Sequence, residues 1–496
     1  MGRKYMKKIV KLTCLLLAVL MLASSFVGCG APAGEDQTTE SKADGTAEAG
    51  SDAFEETTEE EYKPDIEQKN YGDEFYLWVM GDVNPGRYYW VKESSNETMS
   101  DAVYGRQEKI RQHIGVEIVF SGTESEDRYS GPFKTAVKNK DGSVDLLISH
   151  VYYGIEGFIT GNYLTDFSDV AEFNLDADYW KYQFMEDIGL NGHLYLGFND
   201  YNILYTHVIT FNKELLSKYE DQLDESVYSM VDNYHWTLDK MIWLASLAYV
   251  DTTADGKTDD DTYGLTCYQS VPFVGFMQAS NINLVDMDES GNYVLGFYTD
   301  QTKQRMSDLV DKLYNLTRSD LTCFKNNWEF PQITSGRALM QVSRSLDLEN
   351  YMSSDVDFGV LPFPMYDENQ KDVGYRHLQW GGYQCIPSYL DNPEMTYETT
   401  ELLAYYSDDV NIAYYEKLLG KKVADAPDDR RMLDVVWDSV CSDFGQTYFT
   451  VFYNTNILYA LPNLTREGTT ENLASYVAQR QSTVNRNLKK FMARFK

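Results

Sequence analysis

Histidine and cysteine are scarce in this chain, six of each in 496 residues. The histidines (His113, His150, His193, His207, His235 and His377) stand at no metal-pair spacing from one another or from a cysteine. Beyond residue 29 only Cys267, Cys323, Cys385 and Cys441 remain, 56 or more residues apart and without C-x-x-C, so no zinc site is expected. One or two disulfides and single buried thiols both stay open for these four. The motifs G-x-S-x-G, H-E-x-x-H, G-x-G-x-x-G and the P-loop are absent, which removes the signatures of common hydrolases, zinc peptidases and nucleotide binders. Paired carboxylates for glycoside cleavage carry no signal here, because 77 acidic residues always supply candidates. Basic charge is the other deficit: 43 Lys and Arg leave a formal net charge of −34. Such a surface repels phosphate backbones and anionic lipid, so no nucleic acid partner is expected and membrane attachment needs something other than a basic patch.

What basic charge there is concentrates at the start. The first 28 residues hold five bases (Arg3, Lys4, Lys7, Lys8 and Lys11) and no acid. Residues 12–23 form an apolar run of 12 residues, too short to cross a hydrocarbon core of ~30 Å as a stable helix. Ser24 and Ser25 follow, then Phe26-Val27-Gly28-Cys29. This arrangement resembles a bacterial lipobox, although Phe26 and Val27 stand where that motif usually has Leu and then Ala or Ser. The resemblance implies a signal peptide over 1–28 and a diacylglycerol thioether on Cys29. Each buried methylene contributes ~0.8 kcal/mol, so two acyl chains hold where one does not. Loss of the five bases takes the net charge from −34 to −39. Residues 29–63 are rich in Ala, Gly, Ser, Thr and Glu, with Phe54 and Tyr62 the only aromatics. They cannot bury enough apolar area to offset their ordering entropy and read as a disordered acidic tether.

The remaining chain is too long for one core, since domains mostly run ~100–200 residues. The 43% hydrophobic and 24% charged residues of the full chain are globular values. Short apolar runs alternate with amphipathic segments: strands are expected at 75–80, 116–120 and 144–148, helices at 101–114 and 133–140. This alternation indicates α/β layers with parallel strands. The last third is mostly helical, with Met432, Val436 and Val440 at four-residue steps; Trp78 and Trp437 are expected in the core.

Aromatics reach 14%, with 39 Tyr, a composition suited to wet surfaces that stack on sugar rings. Several segments in order then resemble bacterial extracellular solute-binding proteins of the carbohydrate ABC-transporter type, the family that includes maltose-binding protein. They are D-L-L-I-S at 145–149, G-N-Y-L-T-D at 161–166, N-G-H-L-Y at 191–195, T-H-V-I-T-F-N-K at 206–213 and W-T-L-D at 236–239. S-G-R-A-L-M at 335–340 and F-G-V-L-P-F-P at 358–364 continue the series, and D-D-R-R-M-L-D at 428–434 resembles a helix of a Firmicutes lipoprotein branch.

The resemblance implies a class II periplasmic-binding-protein-like α/β fold, two lobes with an interlobe cleft and multiple crossovers. Lobe one would be 64–205 plus 341–384, and lobe two 206–340 plus 385–496. Crossings would fall near Tyr205, at 341–345 and at 384–387. Ligands in such folds bind at the carboxyl ends of strands. Candidate ligand contacts are therefore Asp82 and Asn84 after the first strand, and His150, Tyr152 and Tyr153 after the third. Ser343 and Arg344 are expected at the second crossing, with Trp380 beside two glycines taken to leave the cleft open. The loop 251–263 places Asp251, Asp255 and Asp259 in a calcium-loop rhythm, but Thr262 stands where a bidentate Glu is required; a solvated turn is the alternative. No other cofactor is expected.

The function implied is a non-enzymatic, monomeric, lipid-anchored binding component on the extracellular face of a Gram-positive cell, capturing a carbohydrate and delivering it to an ABC permease. A secreted glycoside-acting enzyme and a peptide-binding lipoprotein or adhesin are the alternatives. The anchoring part is tested at one atom: Cys29→Ser should release the protein into the medium on fractionation, and retention in the membrane fraction would exclude the thioether anchor.

Overall fold

The computed structural model describes residues 63–495 apart from 81–85, 121–130, 255, 326–330, 354, 421–424, 467 and 470. The signal segment, Cys29, nearly all of the tether, Asp82, Asn84 and Asp255 lie outside the described residues.

Strand β1 (Asp73–Val79) buries Phe75, Leu77 and Val79 at alternate positions, the period-2 pattern of a strand with one face on the core. The helix Thr98–Ile114 is capped by Glu97, whose carboxylate accepts from Ser100 N, and is ended by Gly115 at φ 68°. It leads into β2 (Val116–Phe120); the helix Gly131–Asn139 precedes β3 (Leu146–His150), which is buried throughout. Both strands pair parallel with β1. Asp145 explains the acid ahead of β3: its carboxylate accepts from Tyr76 N (2.8 Å) and Thr396 Oγ1 (2.7 Å), while burial pushes its pKa up to about 6.

The second sheet uses β4 (His207–Asn212), β5 (Tyr263–Tyr268), β8 (Thr322–Lys325), β9 (Ala338–Arg344) and β10 (Phe358–Leu361), in the order β10-β4-β9-β5-β8. Strands β5, β8 and β9 run parallel, and β4 is antiparallel to both neighbours. A hairpin, β6 (Val285–Met287) with β7 (Tyr293–Leu295), and a short pair, β11 (His377–Leu378) with β13 (Val440–Cys441), stand apart. Strand β12 (Gly381–Cys385) returns to the first sheet, antiparallel to β3, giving the order β12-β3-β1-β2.

The sheets divide the sequence differently from the expected lobes. Strand β10, expected in lobe one, pairs with β4 in the second sheet. The helices Pro393–Tyr405 and Asp408–Leu419, expected in lobe two, pack on the helix Thr98–Ile114 of the first. Arg106 ties them there. It is buried, its Nη1 donates to Ser407 Oγ (3.0 Å), its Nη2 to Tyr88 O and Tyr89 O (3.3 and 3.0 Å), and its guanidinium lies 4.3 Å from the Tyr201 ring centroid. Chain order cannot reveal such a tie, because both partners lie in segments whose apolar faces would suit either sheet.

The chain passes between the sheets at Ile203–Thr206, around Ser345 and at Leu378–Gly381, and these passages are bonded to one another. Trp380 N donates to Tyr205 O (3.0 Å), Tyr205 N to Gln379 Oε1 (3.1 Å) and Thr206 Oγ1 to Leu378 O (2.7 Å). Ser345 N donates to Thr206 O (2.8 Å) and Ser345 Oγ to Leu204 O (2.7 Å). The third passage thus falls ahead of the expected 384–387, because Gly381 already pairs with His150.

On the far side of β10 the helix Pro427–Asp438 docks through Asp429, which is 1% exposed. Its carboxylate accepts from Lys213 Nζ (2.6 Å), Tyr228 Oη (2.7 Å) and Val360 N (3.1 Å). Removing it leaves a cation, a phenol and an amide without their acceptor. Asp429→Ala should therefore lower the unfolding free energy by about 3–5 kcal/mol in urea titration, while Glu214→Ala on the exposed surface nearby should leave it within ~0.5 kcal/mol.

Candidate functional site

The strand ends meet where the three passages are stitched together. His150, the last residue of β3, is buried, and its Nδ1 accepts from Tyr152 N (3.2 Å). Its ring centroid lies 4.6 Å from Tyr152, 6.0 Å from Tyr153 and 5.9 Å from Tyr205. Burial lowers its pKa to about 3, so the ring is neutral and keeps its proton on Nε2. Across the junction Arg344, the last residue of β9, stands opposite His207, the first of β4, and pairs with Asp347 through both carboxylate oxygens (2.7 and 2.6 Å).

A third contribution comes from the C-terminal helices. The hydroxyl of Tyr152 is hydrogen-bonded to Tyr459, and the Tyr152 ring meets Phe449 edge-on at 4.9 Å. Burial, then Tyr459, push the Tyr152 phenol upward; Tyr205 and Tyr268 lie near enough to add to the effect. One flank of Tyr152 stays open, since 39% of its surface is exposed, and Tyr453 beyond Phe449 is 72% exposed (rings 5.6 Å apart). The result is an aromatic wall with hydroxyl edges, drawn from β3, the first passage, the end of β5 and the C-terminal helices. Such a surface stacks on apolar ring faces and exchanges hydrogen bonds at the rim. The described part of this cluster contains no pair of facing carboxylates.

Of the residues expected from sequence, His150, Tyr152, Tyr153 and Trp380 are brought together here, and Arg344 borders them. Ser343 is not available: it is fully buried in the second sheet, and its hydroxyl contacts Thr210 Oγ1 (2.8 Å) and Tyr351 Oη (2.9 Å). Alternation along β9 turns it away from the face that Arg344 presents. Tyr205, Tyr268, Phe449, Tyr453 and Tyr459 were not anticipated. Tyr205 carried one signal, its place at an expected crossing; the other four carried none, because only the fold carries their segments to the β3 end.

Trp380 also differs from expectation. It is 5% exposed and packs against Tyr205, Val274 and Leu378, and its Nε1 donates to His207 Nδ1 (3.2 Å). The neighbouring glycines do not open a cleft. Gly382 adopts φ 86°, and a Cβ there would meet Asn202 Nδ2 at 3.1 Å and Tyr89 Oη at 3.4 Å. It is small so that the 199–202 loop can lie against β12, where Asn202 donates to Gly382 O.

In the loop 251–263, Asp251 Oδ2 accepts from Gly256 N (3.2 Å) and Asp259 pairs with Lys325 (3.0 Å). Asp261, not part of the expected rhythm, is buried and accepts from Thr252 N (2.9 Å) and Thr258 N (2.7 Å), which closes the turn through protein donors. All four described cysteines are buried free thiols.

The position of Trp380 has a measurable consequence. Trp380→Ala should cost about 3–5 kcal/mol, the range for a buried Trp truncated in a core, read as a fall in the urea midpoint. A variant of unchanged midpoint would return Trp380 to an open cleft surface.

No family model matches the sequence, and no curated protein matches it. Solved structures do match in fold. A maltose/maltodextrin-binding domain, MalE from Bdellovibrio bacteriovorus bound to maltotriose, aligns with TM-score 0.51 and 14% identity, covering 84% of this chain and 100% of that one. The ABC substrate-binding protein Lmo0181 from Listeria monocytogenes, in complex with cycloalternan, aligns with TM-score 0.53 and 11% identity over 85% and 99%. The GacH receptor of Streptomyces glaucescens, solved unliganded and with acarbose, gives 0.51 and 15% over 85% and 98%. Two mixed sheets and a chain that passes repeatedly between them give this protein the α/β fold of the maltose-binding-protein-like ABC substrate-binding proteins.

Proposed function

We propose that the protein is the substrate-binding component of an ABC importer, that it takes a carbohydrate at the Tyr152–Tyr205–Tyr459 cluster, and that it performs no chemistry on it. The observation that carries this reading is the aromatic cluster at the strand ends, assembled across the passages between the sheets and opening to solvent at Tyr152 and Tyr453. A sugar offers apolar ring faces to such rings and hydroxyls to their phenol edges and to Arg344. Hinged capture requires that ligand favour the closed state, and stacking in a gap that loses water supplies this difference. The fold neighbours lend support, since their structures were solved with maltotriose, cycloalternan and acarbose. Delivery to a membrane permease, anchoring through Cys29 at the extracellular face of a Gram-positive cell and a monomeric state complete the proposal. A calcium ion in the loop 251–263 is not part of it, because Asp261 already closes the turn and Asp259 is engaged by Lys325.

Isothermal titration with an oligosaccharide panel that includes maltotriose tests the reading. A binder should be recovered unaltered, and Tyr152→Ala should weaken it by about 1–3 kcal/mol, roughly 5- to 150-fold, with the thermal midpoint nearly unchanged because the ring is partly exposed. Recovery of fragments would favour the glycoside-acting enzyme. Undiminished affinity in Tyr152→Ala would move the site elsewhere.

A further inference from the structure

A second pocket lies apart from the aromatic wall and shares no residue with it. Its volume is about 490 Å³, within the usual range for small-molecule sites. One wall is the segment around Glu186 and Asp187, the other is the β6–β7 hairpin with Asn283, Asp286 and Tyr293, and Arg376 and Phe444 complete the lining. The Tyr293 and Phe444 rings lie against each other, 4.2 Å apart at 30°, an apolar spot within an otherwise polar cavity.

Arg376 is a group that the protein uses only in part. Its Nη2 donates to Asn283 Oδ1 (3.1 Å), and its Nε is buried without a partner. Among the described residues Nη1 donates to no atom, and no carboxylate forms a contact ion pair with the guanidinium. The nearby acids are otherwise engaged or face the cavity: Asp443 accepts from Leu284 N (2.6 Å) and Gln446 N (2.8 Å), and Asp187 from Gln183 Nε2 (2.9 Å). An anion would have to sit among four lining carboxylates, Glu186, Asp187, Asp286 and Asp443, and a metal cation would have to sit beside a guanidinium. A molecule rich in hydroxyls meets neither penalty. One hydroxyl can accept from Arg376 while donating to Asp187 or Asp286, and an apolar ring face can lie against Tyr293.

We infer that this pocket is a second binding site, for a neutral hydroxyl-rich molecule of monosaccharide size. The inference does not rest on the aromatic wall being the transport site. D-glucose, D-galactose and myo-inositol, each titrated to millimolar concentration and followed by saturation-transfer NMR, serve as probes. At least one should bind saturably to the wild type and equally to Tyr152→Ala. Asp286→Ala removes an exposed carboxylate on the hairpin that accepts from Asn283 Nδ2 (3.5 Å) and Met287 N (3.0 Å); it should weaken that binding at least tenfold with a nearly unchanged thermal midpoint, and Arg376→Gln should weaken it further. The inference is overturned if no probe binds the wild type, if Asp286→Ala and Arg376→Gln bind as the wild type does, or if Tyr152→Ala abolishes the binding. Loss of oligosaccharide binding in Tyr152→Ala with monosaccharide binding retained would separate the two sites.

Discussion

Everything in this molecule depends on a small set of hydrogen bonds that hold three passages of the chain side by side. Ile203–Thr206, Ser345 and Leu378–Gly381 are bonded through main-chain groups and through the side chains of Gln379, Thr206 and Ser345. Gln379 alone closes two of these links, accepting from Tyr205 N and donating to Ile203 O (2.9 Å), and braces its own passage by donating to Gly381 O (3.1 Å). Buried main-chain polar groups must be paired, and a passage between two sheets has no ladder to supply partners. The side chains of Gln379, Ser345 and Thr206 supply them instead. The same bonds fix where β3, β4, β9 and β12 end, and hence where Tyr152, Tyr205 and Arg344 stand.

Around this junction the protein keeps its buried ionisable groups neutral or spent. His150, His207 and His377 are each lowered to about 3, first by burial. Each also has a defined hydrogen-bond role: His207 accepts from Trp380, and His377 Nε2 accepts from Phe363 N (2.9 Å) while its Nδ1 contacts Ser439 Oγ (2.7 Å). Above the unfolded pKa near 6.5 these neutral rings cost nothing, and the stability they allow is lost as pH falls toward their folded pKa. Asp145 and Asp443, raised by burial to about 6, act in the opposite sense, because the folded state holds their protons more tightly between about 4 and 6. The two sets partly offset one another over that window.

The aromatic wall and the second pocket use different physics. The wall is a stacking surface in which hydroxyls are peripheral, and it draws on four separate parts of the chain. The pocket is a charged cavity of mixed sign whose unspent donor is a guanidinium and whose acceptors are carboxylates. Both suit hydroxylated ligands, one through ring faces and the other through hydroxyl edges.

Local pattern was enough to read β1, β2, β3 and the helices that join them, because alternation, caps and a terminal glycine act within a few residues of one another. The ordered motifs also carried the α/β fold, although the alternation read the strands as parallel where β4, β10 and β12 run antiparallel to their neighbours, and Tyr152, His150 and Arg344 were legible as strand-end residues. Sequence alone could not separate Ser343 from Arg344, since one residue of register decides which face each side chain takes. It misjudged Trp380, because Gly382 beside it answers to Asn202 and Tyr89 from other segments. It placed β10 and the helix Pro393–Tyr405 with the wrong sheets, since hydrogen-bond partners and buried ties such as Arg106 to Ser407 span hundreds of residues. The chain by itself determined which segments are strands and helices, through short-range periodicity. Only the tertiary structure decided which of their ends meet, because that choice is made by buried polar groups finding partners far away in sequence.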